Sequence, residues 1–222
     1  MEIIKNVWQV GGAGFTAPDD AAIYLIRFED KAVLIDSGCG NAHGKLVDII
    51  SAVLPPTVEI EYLLLTHCHY DHTGGAEALR RQYGCAIAAH QLDAEYLEKA
   101  DHRVTAASWY GTRMEPLLVD YKIGGSKETI KIGEGEITAY HCPGHSPGSL
   151  VFVVEIEGKR ILFGQDVHGP LDSSLLSNRK EYESSLSFMR ELKADILCEG
   201  HFGVYQGKDE VEQFIRSYLT IT

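Results

Sequence analysis

Residues 66–75 read Thr-His-Cys-His-Tyr-Asp-His-Thr-Gly-Gly and place three histidines and an aspartate within six positions. The apolar run at 62–65 directly before them is too short for a helix and is typical of a buried strand. Directly after them, Ala76, Leu79 and Tyr83 follow a helical spacing. These ten residues therefore predict a loop between a strand and a helix that carries a cluster of metal-binding side chains.

The spacing inside this loop predicts two metal positions. In an extended segment, residues two apart point the same way, so His67 and His69 can hold one metal while Cys68 points away. Asp71 and His72 follow on the turn and can reach a second metal. Imidazole and carboxylate ligands without thiolate suit zinc, iron or manganese.

Three further candidate ligands lie at the ends of predicted strands later in the chain. His145 lies in the turn Pro-Gly-His-Ser-Pro-Gly, and Asp166 and His201 each follow an apolar run. Each of them alone would be an ordinary polar residue. We expect these strand ends to lie at one edge of the fold, where their side chains converge with the cluster at 67–72.

The amino-acid composition indicates which cellular compartment and which classes of partner to expect. The chain has 222 residues, of which 45% are hydrophobic and 23% charged, as in an ordinary globular domain with its own core. It has no apolar run near the ~20 residues that span a membrane, and its first residues lead us to expect no secretory signal. Its net charge of −12 disfavours nucleic acids and anionic membranes as partners. Five scattered cysteines suit a reducing compartment. We expect a cytoplasmic protein with a small-molecule substrate, and homo-oligomerisation stays open.

The pattern of apolar residues predicts an α/β fold. The first half has strands predicted at 3–10, 22–28, 32–35, 62–65 and 86–89, with helices at 46–53, 76–83 and 92–100. The second half has strands predicted at 128–132, 137–141, 150–156, 160–163 and 195–198, with helices at 182–192 and 211–219. Two successive halves of this kind predict two facing mixed sheets with helices outside. We expect a four-layer αβ/βα sandwich in a single domain, 1–222.

The segment 101–123 has the least regular pattern and contains Trp109, Tyr110, Arg113 and Met114. Two interpretations stay open. The segment is either a helix that packs its aromatic residues into the core, or a lid whose aromatic side chains bind an apolar or acyl group beside the metal. The predicted pocket is lined by 11–20, 101–114 and 169–179.

The whole pattern resembles the metallo-β-lactamase superfamily in its dinuclear hydrolase branch, which includes glyoxalase II and the lactonases. The resemblance rests on Asp-Ser-Gly at 36–38, on the cluster at 67–72 and on His145, Asp166 and His201. These elements follow one another along the chain in the same order as in the family. It implies a first metal held by His67, His69 and His145. It implies a second metal held by Asp71, His72 and His201, with Asp166 bridging both and Asp36 buried behind the ligand loop.

The implied cofactors are two divalent metal ions. Zinc is the preferred candidate for both, and iron or manganese are alternatives. Two cations that share a water lower its pKa, and the resulting hydroxide would cleave an ester, thioester or lactone of a small molecule. Asp71 could pass the proton to the leaving group. His168, two residues after Asp166, is a candidate substrate or proton-transfer residue, and Tyr70 is a weaker candidate.

Three observations bear on which branch of the superfamily the chain resembles most. Only 21 residues follow His201, which disfavours the glutathione-binding helical domain usual in glyoxalase II. The lactonases place a tyrosine three residues after the bridging aspartate, where this chain has Gly169. The zinc β-lactamases usually lack the aspartate-histidine pair combined with this bridging aspartate.

Two other classes of function stay open. The chain also resembles persulfide dioxygenases, in which one iron would be held by His67, His145 and Asp166. A non-catalytic metal-binding sensor would retain the metals without catalysis.

Overall fold

The first half of the chain forms a seven-stranded sheet in the computed structural model, which describes residues 1–164 and 166–219. Its strands lie in chain order: β1 Glu2–Ile4, β2 Val7–Gly11, β3 Ile23–Phe28, β4 Lys31–Ile35, β5 Glu59–Leu64, β6 Ala86–His90 and β7 Tyr121–Ile123. The pairs from β1 to β4 are antiparallel, and those from β4 to β7 are parallel. Parallel neighbours need long crossover connections, which contain helices α1 His43–Val53, α2 Tyr70–Thr73, α3 Ala76–Tyr83 and α4 Gln91–Lys99.

The second half forms a six-stranded sheet. Its strands are β8 Lys127–Ile132, β9 Gly135–His141, β10 Leu150–Ile156, β11 Lys159–Phe163, β12 Ile196–Cys198 and β13 Val204–Gln206, again in spatial sequence. All pairs are antiparallel except β11 with β12, which are joined by helix α5 Arg179–Glu191. Helix α6 Lys208–Leu219 follows the last strand.

The core has three layers. Side chains from both sheets, including Tyr24, Phe152 and Phe163, pack between them. A second cluster lies between the first sheet and helices α1, α3 and α4, and a third lies between the second sheet and helices α5 and α6. The predicted sandwich of two facing mixed sheets with helices outside is therefore confirmed. The proposed single domain, 1–222, includes Gln165 and residues 220–222, which lie outside the described residues.

The structure corrects three local predictions. The strand predicted at 3–10 is two antiparallel strands, since the chain turns at Asn6 with a φ of 67°. Strand β13 was not predicted. The segment 101–123 contains a short 3₁₀ helix, Ala107–Tyr110, and, at its end, strand β7, which was not predicted, and Trp109 and Tyr110 are 51% and 38% exposed. The interpretation of this segment as a core helix with buried aromatic residues is therefore wrong.

The topology brings the predicted ligand segments to one edge of the sandwich. The parallel pairs β4–β5 and β11–β12 end there, since their carboxyl ends lie side by side. Two backbone hydrogen bonds join the sheets at this edge, from Leu150 N to Thr66 O at 2.7 Å and from Ala22 N to Gly200 O at 2.7 Å. Among the described helices, none is both long and apolar enough to cross a membrane.

Candidate metal centre

The first group of metal-type donors combines side chains from both sheets. Nδ1 of His69 lies 3.0 Å from Nε2 of His67 and 3.0 Å from Nε2 of His145. Oδ2 of Asp166 lies 3.4 Å from Nε2 of His145. All four side chains are buried, and their donor atoms lie within 4.8 Å of one another.

The second group adjoins the first through Asp166. Nε2 of His201 lies 3.1 Å from Oδ2 of Asp71, and Nε2 of His72 lies 3.1 Å from Oδ1 of Asp166. Oδ1 of Asp166 also lies 3.4 Å from Nε2 of His201. One oxygen of Asp166 therefore faces each group, and the structure brings together all seven predicted ligands in the two sets expected from the sequence.

These residues fit a pair of divalent cations. Ligand atoms about 2.0–2.1 Å from a tetrahedral ion lie about 3.3 Å apart, and the closest donor pairs here are 3.0–3.4 Å apart. Nε2 of His72 and Oδ1 of Asp166 are fully buried, and among the described residues neither has a partner with hydrogen-bond geometry. Buried polar atoms without partners are costly, and a cation between them would remove that cost.

Electrostatics distinguishes the two groups. Burial, followed by the neighbouring imidazoles, lowers the pKa of His67 well below its usual value and that of His69 to about 3. Burial also acts to lower the pKa of His201, but the carboxylates of Asp166 and Asp71 raise it to about 10. His67 and His69 therefore present neutral imidazoles, the form that ligates metals, whereas the carboxylates of the second group attract positive charge.

Asp36 positions the ligand loop from behind. It directly follows strand β4, has a φ of 61° and accepts hydrogen bonds from the backbone N and the hydroxyl of Thr66, both at 2.8 Å. Its Oδ2 also lies 2.7 Å from Nδ1 of His72. A carboxylate on one ring nitrogen directs the other nitrogen toward the metal, so Asp36 sets the orientation of His72.

The structure places His168 beside the second group. Its Nδ1 lies 2.8 Å from Oε1 of Glu199, and its ring centroid is 5.3 Å from that of His201. Glu199 is fully buried and also accepts backbone hydrogen bonds from His201 at 2.7 Å and Phe202 at 2.8 Å. Sequence reasoning missed Glu199, although an acidic residue directly after the apolar strand β12 was the available signal.

The segment 101–114 reaches the site through Tyr110. The phenol of Tyr110 lies beside the carboxylate of Asp71, and burial, followed by the charge of Asp71, raises the pKa of the phenol. The Tyr110 ring lies 5.7 Å from that of Tyr70, centroid to centroid. Tyr70 therefore packs against Tyr110, and sequence reasoning did not single out Tyr110 among the residues of this segment as the one beside a candidate ligand.

The other two predicted wall segments also touch the ligands. Nδ1 of His145 donates to the carbonyl of Pro170 at 2.9 Å, and the hydroxyl of Ser177 donates to the carbonyl of His145 at 2.7 Å. In the segment 11–20, Asp20 is buried, and the next residue, Ala21, donates its N–H to the carbonyl of Asp71 at 3.2 Å. Loops from both halves therefore hold the ligand backbone in place.

The fold and this arrangement of histidines and aspartates define a class of metallohydrolase scaffold. A sequence model of the metallo-beta-lactamase superfamily matches residues 16–201, and the chain belongs to this superfamily.

Among its relatives, the acyl-coenzyme A thioesterase MBLAC2 of Gallus gallus is 26% identical over 90% of this chain and 78% of that protein. The hydroxyacylglutathione hydrolase GloC of Haemophilus influenzae is 28% identical over 80% of this chain and 82% of that protein. Among solved structures, a metallo-beta-lactamase with a HARLDQ motif from Cronobacter sakazakii matches with a TM-score of 0.82 over 98% of this chain and 90% of that chain. Its sequence identity of 18% makes this a likeness of fold.

Proposed function

We propose that this chain hydrolyses an acyl thioester of a small molecule. The reaction would use two divalent metal ions, of which zinc is the preferred candidate. The observation that carries the proposal is the pair of adjoining donor groups that share Asp166. A single iron held by His67, His145 and Asp166 would leave the other three donors of the second group without a role. The names of the relatives, an acyl-coenzyme A thioesterase and a hydroxyacylglutathione hydrolase, favour a thioester over a lactone.

The residues have separate parts in this reaction. The first metal would be held by His67, His69 and His145, the second by Asp71, His72 and His201, and Asp166 would bridge them. When bound, the two ions supply an activated water and polarise the acyl carbonyl.

Asp71 and His168 act on the substrate side of this centre. The carboxylate of Asp71 can take a proton from the attacking water and pass it to the leaving sulfur, because it lies 3.1 Å from Nε2 of His201, the partly exposed member of the second group. Glu199 binds Nδ1 of His168 and so directs the opposite edge of the ring away from the protein interior, toward substrate.

Exposed apolar side chains beside the second group support an acyl substrate. Trp109 is 51% exposed and adjoins Tyr110, and Phe202 is 57% exposed and packs on the ring of His168 with centroids 4.6 Å apart. Large apolar side chains at the mouth of a polar site provide a surface for an acyl group. The five buried free cysteines and the acidic surface favour a small-molecule substrate in a reducing compartment such as the cytoplasm.

Metal content and hydrolysis together test the proposal. Purified protein should contain about two metal ions per chain by elemental analysis and should hydrolyse members of a panel of acyl thioesters, aryl esters and lactones, thioesters fastest. Asp166→Ala should lose both properties, whereas Asp48→Ala, a change of the same kind on the exposed side of helix α1, should keep them.

Other results assign other functions. About one iron per chain with oxygen uptake on glutathione persulfide would contradict the hydrolase and indicate a dioxygenase. Two metals, with the wild type and Asp166→Ala equally inert on the panel, would indicate a binding or sensor protein.

A further inference from the structure

A buried carboxylate outside the ligand set joins the two segments that supply the first donor group. Asp93 lies in the first turn of helix α4 and is fully buried. Its Oδ2 accepts a hydrogen bond at 2.9 Å from the backbone N of Cys68, the residue between His67 and His69. Asp93 therefore holds the backbone of the first ligand segment from behind.

The same carboxylate holds the turn that carries His145. Oδ2 of Asp93 accepts from the hydroxyl of Ser146 at 2.6 Å, and Oδ1 accepts from the backbone N of Gly148 at 2.6 Å. Position 148 has no room for a side chain, since a Cβ there would lie 2.6 Å from Asp93. The turn thus fits closely on the first turn of helix α4.

The contacts of Asp93 are confined to one side of the metal centre. Its hydrogen bonds within the described residues go to the segments around His67–His69 and His145, and none goes to 70–73 or 199–202. Asp36 differs, because it contacts His72 of the second group directly. A disturbance at Asp93 should therefore reach the first group before the second.

We infer that Asp93 is a positioning residue for the first metal site, which it assembles by fixing the His67–His69 segment against the His145 turn. This inference rests on the metal centre of the proposed function. An ion at the first site needs ligands from two segments that are 76 positions apart between His69 and His145, and Asp93 is the side chain that binds both backbones.

The substitution Asp93→Asn tests this role with little change in size. Whichever way the amide is turned, its NH2 group faces either the N–H of Cys68 or the N–H of Gly148, so one buried donor beside a ligand loses its acceptor. Loss of such a supporting contact typically lowers metal affinity by about 10- to 100-fold.

The experiment measures zinc affinity of the full chain in two single-site backgrounds by competition with a chelating dye. His201→Ala leaves the first group complete, and His145→Ala leaves the second group complete. Asp93→Asn should weaken zinc binding by about 10- to 100-fold in the His201→Ala background and by less than about threefold in the His145→Ala background. Glu95→Gln, the same change on the exposed side of helix α4, should alter neither affinity.

A second variant covers the case in which Asp93→Asn does not fold. Ser146→Ala removes one of the bonds to Asp93 and should weaken zinc binding in the same background, by a smaller factor. Equal losses in the two backgrounds, or no loss in the His201→Ala background, would overturn the role of Asp93. A wild-type chain that binds no zinc would instead overturn the proposed function itself.

Discussion

Gly200 lies so close to the candidate metal centre that a single added methyl group would reach a ligand. A Cβ at this position would lie 2.3 Å from Oδ1 of Asp166 and 3.2 Å from Cε1 of His72. Real Cβ atoms essentially never approach another heavy atom within 3.0 Å, so Oδ1 of Asp166 must move by about 0.7 Å or more in Gly200→Ala. This oxygen is the donor that Asp166 directs at the second group.

The expected cost follows from that displacement. A misplacement of about 1 Å in an active site can lower activity about 100-fold, which corresponds to ~2.7 kcal/mol of transition-state stabilisation. We therefore expect Gly200→Ala to lower kcat/KM on the best thioester by about this factor and to contain fewer than two metal ions per chain. Steady-state kinetics and elemental analysis of the same preparation measure both.

Gly44→Ala is the matched control. Position 44 lies in helix α1, and a Cβ there would have no heavy atom within 4 Å among the described residues. Alanine is favoured over glycine in a helix by about 1 kcal/mol, so this variant should keep full activity. A Gly200→Ala protein with two metals and a wild-type kcat/KM would refute the reasoning.

Three further changes probe the same site. Asp36→Ala leaves the buried N–H of Thr66 and the ring of His72 without their acceptor. The free energy of unfolding, measured by urea denaturation, should therefore fall by ~1–3 kcal/mol, and the metal affinity, measured by zinc titration, should fall by about 10- to 100-fold. Unchanged values would contradict the role of Asp36. Tyr110→Phe removes the hydroxyl that contacts Asp71 and should lower kcat at least about tenfold at constant metal content, and an unchanged kcat would show that the hydroxyl is idle. Zinc at about 100 times its dissociation constant should stabilise the chelator-stripped protein by ~2.7 kcal/mol and raise its melting temperature by about 5–10 °C. The same rise in Asp166→Ala would show that zinc binds outside the candidate metal centre.

The ligands were predictable because each one stands where a regular pattern stops. His145, Asp166 and His201 follow apolar runs that fold as strands β9, β11 and β12, and strand ends are the usual place for such residues. The two-residue period of an extended chain placed His67 and His69 on one side, and their rings lie side by side with centroids 4.4 Å apart. Local periodicity therefore predicted the sandwich and located the candidate donors, whereas their division into two metal sets came from the resemblance to the superfamily.

The residues that support the ligands had no such pattern. Asp93 contacts Ser146 across 53 positions of the chain, and in the sequence it is only an acid in the first turn of a helix, where any carboxylate is favourable. Tyr110 lies in a segment without periodicity, so its contact with Asp71 depends on a loop path that no local rule describes. These contacts arise from packing between distant segments, which a single sequence does not display.

The exposure of the ligands indicates the direction from which substrate reaches the metals. The side chain of His201 is 28% exposed, whereas those of Asp71 and Asp166 are 7% and 5% exposed and that of His145 is fully buried. In the proposed hydrolase, substrate would therefore approach over the second group, because the side chains of the first group are buried. The side chains at that opening come from the segments around Tyr110 and 202, which carry no motif. For the proposed hydrolase, the chemistry of the site would consequently be encoded in a pattern that can be read from the sequence, and the choice of acyl group in the surface that surrounds His201.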